Sequence, residues 1–189
     1  MTETGSEIKG AEKRRRIIEA AWRLVRRHGL RGMTMEALAR EAGIAKATLY
    51  GQFPDKEAVV AGVIDEMIVD LQRGFDDGLA APGPVSARVG AALAGKYGII
   101  FQALEGSPHA EEILSEHHRF AACFEAFDQK IAAALAGALA QGGVHDAPQL
   151  ARIVMAAASG IARSLSGAAE IDAAIRLMCR RLIAPEVGE

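Results

Sequence analysis

Met33–Ala58 reads MTMEALAREAGIAKATLYGQFPDKEA, and this stretch decides the fold. Thr34 can cap a helix, and Glu36 then sets negative charge near the helix's positive N-terminal end. Leu38, Ala39 and Ala42 recur at helical spacing, and Gly43 supplies the positive φ that a sharp exit needs. Ile44 and Leu49 can pack back onto Leu38. The second helix, about Lys46 to Tyr50, is too short to persist alone and must be held by a scaffold. A helix this short that presents Lys46, Thr48 and Tyr50 outward suits insertion into a DNA major groove.

The pattern extends on both sides. Ile17, Ala21, Leu24 and Gly29 precede it, and Phe53-Pro54 and Lys56 close it. From Arg16 to Val60, about a quarter of the chain, these residues resemble the TetR family of bacterial transcriptional regulators. The resemblance implies an all-α fold, with an N-terminal three-helix helix-turn-helix DNA-binding domain followed by an α-helical ligand-binding and dimerisation domain. The division is expected at residues 1–54 and 55–189, with a disordered tail over about 1–10.

Charge supports a division of labour. Residues 1–54 carry 11 Lys and Arg against 6 Asp and Glu, a balance of +5, whereas residues 55–189 carry 11 against 18, a balance of −7. A basic head on an acidic body suits a molecule that meets phosphates at one end only. Half of the 189 residues are hydrophobic, enough for a proper core. Few aromatics and much Ala, Leu and Gly favour packed helices over a β-sandwich. No apolar run approaches a membrane span, and the polar N-terminus shows no signal-peptide hydrophobic region, so a cytoplasmic location is expected. Cys123 and Cys179 fit no metal spacing and read as separate thiols.

Helical periodicity predicts further helices over about 12–28, 55–77, 86–104, 109–115, 117–140, 148–165 and 172–183, with no strand and no internal repeat. Pro82-Gly83-Pro84 marks a loop from Gly78 to Pro84, and Gly106-Ser107-Pro108 and Gly142-Gly143 mark two more breaks. Phe120, Phe124, Phe127, Ile131 and Leu135 form one stripe. The last two helices are rich in small residues that permit close approach. The resemblance makes them the interface of a homodimer, the alternative being an ordinary intramolecular core. A dimer on a palindromic operator also follows from mechanism, because one helix-turn-helix reads only a few base pairs.

The candidate DNA-binding residues are Thr34, Lys46, Ala47, Thr48, Tyr50, Gln52 and Lys56. Tyr50 offers a hydroxyl to a phosphate or closes the core. Lys46 can reach a guanine edge or a phosphate, or stay solvated. Thr48 suits a thymine methyl, Ala47 permits close approach, and Thr34 is either a phosphate ligand or a pure cap. Lys56 opens a helix whose dipole also attracts phosphate. The Lys13–Arg16 run tracks the backbone or a minor groove, or only solubilises the terminus. Two departures from the family pattern stand out. Ala45 replaces the usual capping Ser or Thr, and Gly51 replaces a larger contacting side chain and loosens the helix end. Gln52, at a position usually aromatic, could read adenine.

The resemblance also implies a small-molecule effector of unknown identity, bound among helices of the body. The candidate lining is Met67, Leu71, Phe75, Phe101, Leu104, Phe120, Phe124 and Met155, each more readily read as plain core, and an apolar ligand would suit them. A metal site among His109, Glu111, Glu112, Glu116, His117 and His118 is not expected, because adjacent histidines point to different helical faces. No cofactor is expected. Nor is an enzyme, since no nucleophile elbow, phosphate loop, HExxH or Cys-x-x-Cys occurs. The expected function is a sequence-specific DNA-binding regulator, a repressor released by its effector; the alternative is an activator or a constitutive binder without an effector.

Overall fold

The computed structural model describes residues 3–115 and 121–189. Within them the chain is all-helical: α1 (Glu3–Gly32), α2 (Met35–Ala42), α3 (Lys46–Tyr50), α4 (Lys56–Ala80), α5 (Val85–Leu104), α6 (Ala110–Ser115), α7 (Ala121–Gln141), α8 (Ala147–Ser164) and α9 (Ala168–Val187). No strand occurs among the described residues. The chain divides into two compact units, the first from Met1–Met67 with Gly106–Phe120, the second from Ile68–Glu105 with Ala121–Glu189.

Several helix boundaries differ from expectation; the last helix, expected over about 172–183, runs from Ala168 to Val187. The tail expected to be disordered is helical from Glu3. Adding residues to an existing helix costs far less than nucleating one, so α1 carries its polar N-terminal residues along. Gly29 has φ 70° and ψ 173°, which interrupts the helix where a stop is expected, and a last helical turn follows it. Gly78, read as the start of a loop, lies inside α4. A Cβ there would stand 2.5 Å from the carbonyl carbon of Ala91 and the Cα of Ala92. This glycine therefore serves a close helix approach rather than a turn. Gly95 of α5 does the same against the Gly74 carbonyl, at 2.5 Å.

In the first unit, Ile17, Ala21, Leu24, Leu38, Leu49 and Phe53 form the buried centre, and Ile113 of α6 packs against it. The Arg14 guanidinium lies 4.2 Å from the centre of the Phe53 ring. Ser107 ties the α6 segment to α1: its hydroxyl donates to the Arg26 carbonyl (2.9 Å) and accepts from the His109 N–H (3.2 Å).

In the second unit α5 packs on α9 and α8, and α7 packs on α8. Val89, Leu93, Ile131, Leu135, Val154, Ile175 and Ile183 are fully buried there. Pro84 gives α5 no side-chain cap. The Glu189 carboxylate supplies one from 104 residues away, accepting from Val85 N–H at 2.7 Å and Ser86 N–H at 3.3 Å. It meets both the orphan donors and the positive end of the helix.

Cys179 is buried on α9 and Cys123 is exposed on α7. Burial pushes the Cys179 thiol up to about 12, with Arg176 opposing weakly. At pH 8 it stays protonated and shielded, so the native protein is expected to show one fast-reacting thiol towards a disulfide reagent. Denaturation should raise this to two. Equal rates for both thiols in the native state would contradict the packing of α9.

Candidate functional site

The α2–turn–α3 unit is built from local chemistry. Thr34 caps α2, its Oγ1 accepting from the Ala37 N–H at 3.1 Å. Gly43 sits in the left-handed region (φ 64°, ψ 39°), and its N–H and that of Ile44 close onto the Arg40 and Ala39 carbonyls. Nothing lies within 4 Å of a Cβ built on Gly43, so the backbone angle, not crowding, demands glycine. The turn delivers α3 with Leu49 pointing inward, fully buried, and Tyr50 pointing out, 51% exposed. Lys46 and Ala47 are exposed beside it, while Thr48 and Gln52 are half-buried.

Ala45 provides no side-chain cap to α3, as its small side chain requires. Gly51, however, keeps right-handed helical angles (φ −70°, ψ −17°), and its N–H bonds to the Ala47 carbonyl at 3.0 Å. The helix end is closed rather than loosened, because glycine needs no special conformation there.

Lys46 Nζ donates to Glu36 Oε1 at 2.7 Å, linking the first turns of α3 and α2. This bond and the charge behind it hold the Glu36 carboxyl below the usual carboxylate range and raise the Lys46 ammonium above the usual lysine value. Both side chains are well exposed, so the pair is screened and easily exchanged. Lys56 is placed otherwise than its position at a helix start suggests. Its ammonium donates to the Leu30 carbonyl, at the exit of α1. Asp55 caps α4 as expected, accepting from the Ala58 N–H at 2.7 Å.

Several arginines are structural in ways the local sequence does not display. Arg16 Nη2 donates to the Ala42 carbonyl at 3.2 Å and satisfies the C-terminal end of α2. Arg23 and Arg27, one turn apart on α1, both grip Glu41 of α2, at 3.0 and 2.7 Å. They hold its carboxyl below the usual range, the Arg23 hydrogen bond contributing most. A basic i, i+4 pair on one helix and an acid near the end of the next is the available signal. Of the run Lys13–Arg16, therefore, Arg14 and Arg16 are occupied within the head, and Arg15 pairs with Glu19.

The candidate effector residues are not drawn together in one unit. Met67 belongs to the first unit; Leu71, Phe75, Phe101, Leu104, Phe124 and Met155 belong to the second. Leu71, Phe75 and Leu104 are buried, while Phe101, Phe124 and Met155 are half-buried. Phe120, Glu116, His117 and His118 lie outside the described residues. His109 Nδ1 lies 3.2 Å from Glu112 Oε2, and no group of three metal-ligating side chains occurs among the described residues. No described helix is long and apolar enough to cross a membrane.

Residues 17–63 match the family described as bacterial regulatory proteins, tetR family. Over 68 residues the chain is 35% identical to the HTH-type transcriptional regulator EthR of Mycolicibacterium smegmatis, covering 36% of this chain and 31% of that one. Over 61 residues it is 33% identical to the HTH-type transcriptional regulator BetI of Agrobacterium fabrum, covering 32% and 30%. The chain thus spans about a third of the length of the curated relatives it matches. Likeness of fold extends much further. Salmonella enterica GusR superposes with a TM-score of 0.66 at 24% identity, covering 91% of this chain and 95% of that one. A transcriptional regulator from Cytophaga hutchinsonii gives 0.68 at 21% identity, covering 89% and 95%. The match to the tetR family of bacterial regulatory proteins thus rests on residues 17–63, which hold the second half of α1, the α2–Gly43–α3 unit and the start of α4.

Proposed function

We propose that the chain is a cytoplasmic, sequence-specific DNA-binding transcriptional regulator. One observation carries this reading: α3 is anchored by buried Leu49 and presents Lys46, Ala47 and Tyr50 to solvent, with Thr34 exposed at the α2 cap. A helix held from behind and polar in front fits a major groove, and capped helix ends fit the flanking phosphates. Lys46 exchanges one exposed carboxylate for phosphate or a guanine edge at little cost. Residues 1–54 act as the head and residues 55–189 as the sensing and dimerising body. Ile153 on α8 and Leu177 and Leu182 on α9 are exposed large apolar side chains, which a second copy of the chain would cover. A small apolar effector bound in the body would favour a head spacing that no longer matches the operator, and so relieve repression.

The test is selection of bound fragments from a random duplex pool at moderate salt. A two-fold symmetric motif is the expected result. On that motif Tyr50→Phe should weaken binding to all sequences alike, and Lys46→Ala should also alter base preference. A folded dimeric protein that enriches no motif would end the reading of α3 as a base-reading element.

A further inference from the structure

Lys96 is the one lysine among the described residues that is buried, at 6% exposure, and it lies in the middle of apolar α5. Its ammonium meets Asp128 Oδ1 of α7 at 2.6 Å and stands 5.1 and 5.3 Å from the ring centres of Tyr97 and Phe127. The pair is lopsided: the lysine side chain is 7% exposed and the aspartate 52%. Stability alone does not call for such a charge, since a buried ion pair is commonly replaced by apolar side chains without loss. Asp128 can turn to water cheaply, whereas Lys96 cannot, so its charge demands whichever anion stands at this spot.

Packing changes character at the same point. Val85, Val89, Ala92 and Leu93, in the first half of α5, are fully or almost fully buried. From Tyr97 to Phe101 the residues are only half-buried, as is Phe124 on α7, and a Cβ on Gly98 would meet nothing within 4 Å. Apolar and aromatic surface within the second unit is therefore left partly uncovered next to a fixed cation.

We infer that Lys96 is the anchor for the carboxylate of a ligand with an apolar tail, which displaces Asp128 and covers the half-buried aromatic residues of α5 and α7. One ion pair replaces another of the same shape and charge, so the exchange is nearly neutral and tail burial supplies the gain. The inference rests on the reading of the body as a small-molecule sensor, and it specifies the chemical class of that small molecule.

Calorimetric titration of the 189-residue chain with octanoate, octan-1-ol and octylamine tests it. Octanoate should bind at least tenfold more tightly than the alcohol, and the amine should not bind. Affinity should rise about fourfold for each methylene added to the carboxylate series. Asp128→Asn, at an exposed side chain, removes the competitor and should tighten octanoate several-fold without affecting the alcohol. Lys96→Met should abolish the preference while the protein still melts cooperatively. Equal binding of acid and alcohol, or a preference that survives Lys96→Met, would make Lys96–Asp128 a structural pair and overturn the inference, leaving the sensor intact. Asp128→Asn without effect on octanoate would also overturn it, even where Lys96→Met fails to fold. Binding of none of the three probes would overturn both the inference and the sensor reading for apolar ligands.

Discussion

Gly78→Val should destabilise the second unit more than any single surface change. A Cβ at this position meets the backbone of Ala91 and Ala92, and backbone cannot swing aside as the end of a side chain can. The two helices must part, which breaks contacts along α5 that depend on their approach. Overpacking of this kind costs about 1–3 kcal/mol and at times more. For a chain of this size each kcal/mol lowers the melting temperature by about 2–4 °C. A fall of roughly 6–12 °C is therefore the expected outcome of a thermal melt, at the upper end of that cost. Gly137→Ala serves as the counterpart. It lies exposed on α7, with nothing within 4 Å of its would-be Cβ. Helix propensity alone should raise stability there by up to about 1 kcal/mol. An unchanged melt for Gly78→Val would mean that α4 and α5 do not approach as closely as described.

Leu49→Ala should have the largest effect on DNA binding without touching a DNA-facing atom. Leu49 is the one fully buried residue of a five-residue helix. Loss of a buried leucine costs about 2–5 kcal/mol, depending on how far the cavity collapses. A single turn and a half has no intrinsic stability to oppose that loss. Operator affinity should therefore fall by two orders of magnitude or more, with amide exchange in residues 44–53 rising in parallel. Tyr50→Phe, one residue on, should leave exchange rates unchanged and reduce affinity only modestly. If Leu49→Ala bound DNA as the parent does, α3 would not be the element that reads it.

These residues also show what the amino-acid sequence discloses and what it withholds. Thr34, Gly43, Leu49 and Asp55 are legible because each acts within a few positions of itself, by capping, a left-handed turn or one helical face. The partners of Lys56, Arg16 and Glu189 are not legible. Each binds a backbone group 26 residues away or more, and backbone groups leave no trace in side-chain patterns. Gly78 illustrates a further ambiguity. A glycine near Pro82-Gly83-Pro84 reads as a loop, and only the proximity of Ala92 shows that it is a packing residue. Lys96 is illegible for a similar reason, since one lysine in a helix gives no sign of whether water reaches it.

Ile113 packs against the core formed by α1, α2 and α3, and its segment belongs to the same compact unit as Met1–Met67. That unit is therefore discontinuous along the chain. During synthesis its first 67 residues emerge well before residue 113, and at ribosomal speeds the interval is about 2–10 s. Over those seconds the nascent first unit lacks one wall, and the apolar surface that Ile113 later covers is open to chaperones or to other chains. A fragment ending at Met67 would carry that gap permanently.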